Sequence, residues 1–145
     1  MRKINGVEGV PAFPGLSQGV VYDNGLVQTS GMVGVILGEN PPRLEETVEA
    51  QVWSALAYTE RVLDAAGSSI RHIGMLSIYH TNPNDYGTIT ATCAAYFEQQ
   101  GIEPDKRPAR KIIGVFSLPL DAFAEVETTA EVKPADSDPR DGCES

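Results

Sequence analysis

Two apolar segments, residues 73–79 and 110–116, most constrain how this chain can fold. Both are rich in β-branched and other apolar residues and have the length of strands. Neither segment alternates cleanly between apolar and polar positions, so both faces of a sheet that contains them require burial. Helices can cover one of these faces. We therefore expect the chain to associate with copies of itself through the other face.

Two further segments predict the helices that cover the first face. Apolar residues recur at helical spacing from residue 44 to residue 63, and Gly67 follows as a C-terminal cap. A second helix is predicted over residues 85–100. It follows Asn82 and ends before Gly101. The apolar positions of the two helices are Leu44, Val48, Val52, Leu56, Thr59 and Leu63 in the first, and Ile89, Cys93, Tyr96 and Phe97 in the second.

A β-hairpin is predicted near the N-terminus. The β-prone residues 19–22 and 26–30 flank Asp23-Asn-Gly25, and Asn-Gly between two such runs favours a type I′ turn. The last predicted strand covers residues 122–128 and alternates between apolar and polar positions. The resulting order β-β-α-β-α-β-β predicts an α+β fold, a sheet with two helices on one face.

The chain of 145 residues has the length of one domain. We assign residues 1–131 to that domain. Residues 1–15 are rich in Gly and Pro and are predicted to form an irregular arm. Residues 31–43 are predicted to be a loop. Residues 132–145 have low apolar content and several acids, which predicts an acidic disordered tail.

Charge and composition exclude several classes of partner. The net charge is -9, from 11 Lys+Arg against 20 Asp+Glu, so the chain is expected to bind neither nucleic acid nor a membrane surface. The N-terminal residues lack the apolar core of a secretory signal, and no apolar run has membrane-spanning length, so neither a leader nor a membrane span is expected. The two cysteines form no metal-binding or redox motif, and cytoplasmic localisation is expected. No nucleotide motif or metal-ligand spacing appears, so no cofactor and no metal are expected.

Arg110 is the residue with the clearest chemical potential. A guanidinium at the start of an apolar strand can bind a carboxylate through two parallel hydrogen bonds. The alternative is a structural ion pair with a nearby acid. Glu125 and Glu127 alternate with apolar residues on the last strand and share one face. Either carboxylate could orient water or move a proton, or both could belong to a solvated strand face.

Three other positions carry weaker signals. Backbone N–H groups at Thr29-Ser-Gly31 could bind an anion, although an ordinary turn explains the same residues. His80 could act as a base, but no partner residue is spaced to support it. Cys93 has the pattern of a small apolar residue in a helix core rather than that of a nucleophile.

A set of motifs in a fixed order resembles the Rid family, the RidA/YjgF group of enamine/imine deaminases. The resemblance extends over about residues 10–130. The matching motifs are Gly15-Leu-Ser-Gln-Gly19, Thr29-Ser-Gly31, Val62-Leu-Asp-Ala-Ala-Gly67, Tyr96-Phe97, Arg107-Pro-Ala-Arg110, Leu118-Pro119 and Glu125-Val-Glu127.

The resemblance implies a chorismate-mutase-like fold and a homotrimer whose pockets lie between subunits. It implies hydrolysis of reactive 2-imino or 2-enamino acids to 2-oxo acids and ammonia, without a cofactor. By the same resemblance, Arg110 holds the substrate carboxylate and Glu125 positions the attacking water. Ser30 and Gly31 form the pocket segment that offers backbone contacts.

Two positions depart from the family pattern and leave other functions open. Leu16 stands where a tyrosine is usual, and Thr90 replaces an asparagine that lines the pocket. The loop before Arg110 is also a few residues longer. These changes favour a different substrate, or a protein that binds small carboxylates or a protein partner without turnover. The ribonuclease or translation-inhibitor activity attributed to some relatives is a further alternative, which the net charge disfavours.

Overall fold

The computed structural model describes residues 1–134 as an α+β fold with two helices and a mixed sheet. Most of the tail expected over residues 132–145 lies outside the described residues. The helices are α1 (Val48–Ala65) and α2 (Tyr86–Gln99). The strands are β1 (Arg2–Ile4), β2 (Gly19–Val21), β3 (Leu26–Thr29), β4 (Met32–Val33), β5 (Val35–Ile36), β6 (Arg43–Leu44), β7 (Ile73–His80), β8 (Ala109–Gly114) and β9 (Ala124–Glu131).

The main sheet has the strand order β1-β2-β3-β9-β7-β8, and β4 also pairs with β9. Only β7 and β8 are parallel among these pairs, and α2 connects them. Strands β5 and β6 form a separate small ribbon. The predicted order β-β-α-β-α-β-β is thus present, with β1, β4, β5 and β6 added to it.

Both helices pack on the same face of the sheet, as predicted. Side chains of α1, α2, β7 and β9 form one buried cluster, and burying each large apolar side chain contributes about 1.5–3 kcal/mol. A smaller cluster lies on the opposite face near β4. It contains Val33, Val35 and Ala122, with Phe13, Leu44 and Leu118 packed against them.

Helix α1 begins four residues later than Leu44, the first position of the predicted pattern. The Thr47 side chain accepts a hydrogen bond from the Ala50 N–H, which satisfies a helix N–H that has no partner within the helix. Leu44 pairs with Val35 in the β5–β6 ribbon instead. At the other end the prediction is confirmed, since Gly67 has a positive φ of 81° and closes a Schellman cap.

The N-terminal hairpin is present, but its turn is not type I′. The register pairs Val21 with Val27, and the Tyr22 N–H donates a hydrogen bond to the Leu26 carbonyl. The loop between them therefore has three residues, 23–25. Gly25 alone has positive φ in this loop, so a type I turn is followed by a left-handed glycine. The Asn24 side chain supports the turn by accepting from the Leu26 N–H.

The arm and the loop are more ordered than the sequence indicates. Residues Arg2–Ile4 form an edge strand against β2, and the buried Gln18 side chain donates to the Pro11 carbonyl and accepts from the Val7 N–H. Residues 31–43 contain β4 and β5, and β6 begins at Arg43. Gly and Pro mark the turns in these segments. The short strands depend on pairing with residues distant in the sequence, which the local pattern does not show. Within residues 1–134, no helix is long and apolar enough to cross a bilayer.

The contact between Gly34 and α1 gives a test of this packing. A Cβ added to Gly34 would lie 2.4 Å from the Gln51 Cα, where only backbone movement can relieve the clash. We expect Gly34→Ala to destabilise the protein by about 2 kcal/mol or more, measured by chemical denaturation at fixed protein concentration. The control is Gly87→Ala in the first turn of α2, where a Cβ meets nothing within 4 Å. It should be neutral or slightly stabilising, and equal losses in both variants would contradict the packing argument.

Candidate functional site

Arg110 lines an open cleft of about 340 Å³ between β8 and α2. In the parallel register Arg110 lies beside Leu76, which is fully buried under the helices. Adjacent strand positions in register share a face, so the Arg110 side chain is on the helix side of the sheet. Helix α2 and the chain that leads into β8 supply the other walls of the cleft: Thr90, Cys93, Ala94 and Phe97 from the helix, and Arg107 and Pro108 from the chain.

The Arg110 guanidinium has no acidic partner in the part of the chain that the structure describes. Its nitrogens form neither an ion pair nor a hydrogen bond among residues 1–134. The structural ion pair considered for this residue is therefore not present within residues 1–134. An arginine whose donors are all available at a cleft suits the binding of a ligand carboxylate.

Cys93 lies at the base of the same cleft and behaves as a core residue. Its side chain is buried, and burial raises the pKa of its thiol to about 11 against the opposing effect of the Arg110 charge. The thiol is therefore protonated near neutral pH, which disfavours a nucleophilic role. This agrees with the interpretation from the helical pattern.

Thr90 faces the cleft with an unused hydroxyl group. Its Oγ1 is buried and has no hydrogen-bond partner within residues 1–134. An unpaired buried hydroxyl costs about 1–3 kcal/mol, so Thr90 is an energetically unfavourable residue at the wall of this cleft. Thr90 and Arg110, two of the site residues taken from the family resemblance, are thus brought together.

Glu125 lies in a second group, with Gly31. A Cβ placed on Gly31 would lie 1.9 Å from Glu125 Oε1, so the carboxylate lies directly over the glycine backbone. Leu16, Ser30 and Gly31 line a shallow hollow on this side of the molecule. The Leu16 side chain is 56% exposed. The structure therefore places four predicted site residues, Leu16, Ser30, Gly31 and Glu125, in one region.

A β-bulge shapes this second group. Three residues separate Gln28 from Met32, whereas only two separate their partners Thr129 and Val126 on β9. At the bulge, Thr29 Oγ1 accepts a hydrogen bond of 3.0 Å from the Thr128 N–H. The extra residue interrupts the pairing of the strand with β9 at Ser30 and Gly31. The sequence signal at Thr29-Ser-Gly31, read as an ordinary turn or an anion site, thus corresponds to a bulge.

Glu125 and Glu127 share a face of β9, as predicted, but differ in their contacts. Tyr79 donates a 2.6 Å hydrogen bond to Glu127 Oε1, and this bond is the main cause that raises the pKa of Tyr79. The Glu125 carboxylate accepts no hydrogen bond from residues 1–134. Burial, and then the neighbouring Glu127 charge, raise the pKa of Glu125. The raised pKa makes Glu125 a candidate for proton transfer.

Arg110 and Glu125 lie on opposite faces of the sheet within one chain. Arg110 is in register with Leu76, whereas Glu125 is in register with Tyr79, three positions further along β7. An odd separation along a strand places side chains on opposite faces. Val33, which pairs with Glu125, accordingly belongs to the cluster on the face away from the helices. The two residues cannot act on one ligand within a single chain.

His80 is held in a structural position. It is buried at the end of β7, and its Nδ1 lies 3.0 Å from the Asn82 carbonyl oxygen. It lines neither of the two regions described above. The geometry therefore gives no support to a role as a base.

Sequence reasoning did not assign roles to Arg107 and Tyr79. Arg107 belongs to the motif Arg107-Pro-Ala-Arg110. A second cation so close to Arg110 in the sequence could have indicated that both line one site. Tyr79 had no such signal, because its contact with Glu127 joins strands that are 48 residues apart in sequence.

An α+β chain with these two groups of polar residues is similar to known proteins. The sequence matches the family described as Endoribonuclease L-PSP over residues 10–132. The chain belongs to this family, which includes the RidA/YjgF proteins.

Curated relatives and solved structures agree with this assignment. The chain is 32% identical over 133 residues to the 2-iminobutanoate/2-iminopropanoate deaminase of Escherichia coli K12, covering 90% of this chain and 98% of that protein. It is 30% identical over 131 residues to the Salmonella typhimurium protein of the same name, with the same coverage. The structure of E. coli TdcF with bound serine has a TM-score of 0.79 and 26% identity, covering 92% of this chain and all of that one.

The raised pKa of Glu125 predicts that this residue lowers stability at neutral pH. A carboxyl whose folded pKa is raised binds more protons in the folded state than in the unfolded state, so stability falls as pH rises above the ordinary carboxyl range. Glu125→Gln should therefore raise Tm by about 1–3 °C at pH 7, and the gain should disappear near pH 4.

The matched control is Glu131→Gln, an exposed position on the same strand. We expect no change in Tm for this variant at either pH. A Glu125→Gln variant that is less stable than wild type at pH 7 would contradict the proposed cost of burying this carboxylate.

Proposed function

We propose that this protein hydrolyses 2-imino and 2-enamino acids to 2-oxo acids and ammonia. The observation that carries the proposal is the unpaired Arg110 guanidinium beside the unpaired Thr90 hydroxyl in one cleft. Membership of a family with relatives named as 2-iminobutanoate/2-iminopropanoate deaminases supports it. So does the serine bound to TdcF, since serine also carries a carboxylate next to a nitrogen-bearing carbon.

We propose further that the active site forms between copies of the chain, in a homotrimer. Arg110 and Glu125 lie on opposite sheet faces, so a site that uses both requires Arg110 from one copy and Glu125 from the next. A ring of identical head-to-tail contacts satisfies this requirement in every pocket. Apolar side chains that are exposed at β8 and after it would be buried by such contacts, and they are Ile113, Phe116, Leu120 and Phe123.

The proposed reaction begins with the substrate carboxylate bound to Arg110. This contact fixes the imine carbon relative to a water molecule near Glu125 of the adjacent copy. An enamine first becomes the imine by gaining a proton on carbon and losing one from nitrogen. Water then adds to the C=N carbon, its oxygen forms the new C–O bond, and one of its protons passes to Glu125.

Two proton transfers complete the reaction. Glu125 first returns the water proton to the substrate nitrogen, which gives a neutral carbinolamine. The hydroxyl proton then passes through Glu125 to the same nitrogen, the C–N bond breaks, and ammonia leaves as the 2-oxo group forms. Water is the only co-reactant. A raised pKa suits Glu125 to both transfers, because a carboxyl group that titrates closer to neutral pH can accept and release a proton more readily.

The carboxylate anchor can be tested by substitution at Arg110. We expect Arg110→Ala to lower kcat/KM by about 100-fold or more, because a bidentate charged contact and the positioning that it provides are lost. Arg110→Lys keeps the charge without the planar fork and should retain part of the activity. The measurement follows the decay of an imino acid generated by an amino-acid oxidase. Arg110→Ala with wild-type activity would show that the anchor is assigned wrongly.

The site between copies can be tested by mixing two inactive variants. Arg110→Ala and Glu125→Gln should each be nearly inactive alone. After co-expression in equal amounts, roughly three quarters of the trimers are mixed, and each contains one pocket with both native residues. Activity should therefore recover to about one quarter of the wild-type value. A mixture as inactive as its components would exclude a shared site, and a monomeric mass by light scattering would exclude the trimer.

The main alternative is a protein that binds small carboxylates without turnover. The exposed Leu16 favours it, because this position contributes no polar group to the hollow beside Ser30 and Gly31. This alternative would be supported if 2-oxo acids raise the Tm of the protein while the protein accelerates the decay of none of the imines tested. RNA cleavage that survives Arg110→Ala would instead support the activity contained in the family description.

A further inference from the structure

The cleft beside Arg110 contains a second cation. Arg107 lines the same cleft, is half-buried, and forms no ion pair within residues 1–134. The cleft walls contribute two guanidinium groups and no carboxylate. Two positive charges that share one cleft repel each other, and an anionic ligand removes this repulsion.

The Arg107 head group is held in place by the main chain. Its Nε donates a 3.1 Å hydrogen bond to the Ile102 carbonyl, which closes the short loop before β8. This contact uses one of the five guanidinium N–H groups, so both terminal nitrogens are left for a ligand. A guanidinium whose orientation is already fixed loses little entropy when it binds a carboxylate.

The spacing of the two arginines suits a short ligand with two acidic groups. Their Cα atoms are three positions apart in the sequence, which corresponds to at most about 10 Å of extended chain. Both side chains reach the same cleft of about 340 Å³, which is large enough for a small organic acid.

We propose that this cleft selects 2-imino acids that carry a second carboxylate on a short side chain. Arg110 binds the carboxylate next to the imine carbon, and Arg107 binds the side-chain carboxylate. This inference rests on the proposed function and narrows its substrate class. Relatives named for 2-iminobutanoate and 2-iminopropanoate are named for substrates with a single carboxylate, which need only one such anchor.

A comparison of two imines tests this selectivity. Amino-acid oxidases convert aspartate to the dicarboxylic imine and 2-aminobutyrate to the monocarboxylic one, and semicarbazide traps whatever the protein has not hydrolysed. We expect wild type to favour the dicarboxylic imine in kcat/KM. Arg107→Gln should lower kcat/KM for that imine by about 10- to 100-fold and change the value for the other by less than about twofold.

Two control variants separate recognition from folding. Lys106→Gln removes an exposed cation that does not line the cleft, and it should change neither rate. Arg107→Lys retains the charge and should keep part of the preference. Equal losses for both imines in Arg107→Gln would show that Arg107 only closes its loop. Equal wild-type rates for the two imines would also overturn the inference.

A binding measurement distinguishes failure of the inference from failure of the proposed reaction. Calorimetry compares 2-oxoglutarate with 2-oxobutanoate, which are stable analogues with two carboxylates and one. Tighter binding of 2-oxoglutarate that depends on Arg107, with no hydrolysis of either imine, would refute the reaction but support dicarboxylate recognition. Equal affinities, or a preference that survives Arg107→Gln, would overturn the recognition itself.

Discussion

The alternation of side chains along β7, β8 and β9 is the constraint on which the rest of the structure depends. Because the helices cover one face, alternate residues of β7 and β9 enter the core on that side, and Ile112 of β8 packs against it. Arg110 shares its register position with core residues, and Glu125 shares the face of Tyr79. A shift of one residue in either strand would bury a charge and expose apolar side chains.

The bulge before β4 links this sheet to the second group of polar residues. One extra residue at Thr29-Ser-Gly31 breaks the pairing with β9, and the Thr29 hydroxyl replaces part of the interrupted ladder. The absence of a Cβ at Gly31 then leaves room for the Glu125 carboxylate. The bulge thus places Gly31 where the half-buried Glu125 carboxylate can lie against it. A bulge beside a carboxylate is consistent with a functional site.

The cleft at Arg110 has a different physical origin. Helix α2 presents the small residues Thr90, Cys93 and Ala94 to the edge strand β8, and the short side chains leave space beside the two arginines. Burial keeps Cys93 as a neutral thiol, so the charge in the cleft comes from the guanidinium groups. The cleft is consequently electropositive in a chain of net charge -9, which favours small anions over polyanions.

The sequence by itself determined the α+β class, both helices, the hairpin and the shared face of Glu125 and Glu127, because these depend on periodicity and turn chemistry within a few residues. The motif order also identified the family and predicted a role for Arg110. Only the tertiary structure decided that Arg107 lines the cleft of Arg110, that Tyr79 is hydrogen-bonded to Glu127, and that Arg110 and Glu125 lie on opposite faces. These facts depend on strand register and on contacts between distant residues, which no local pattern specifies.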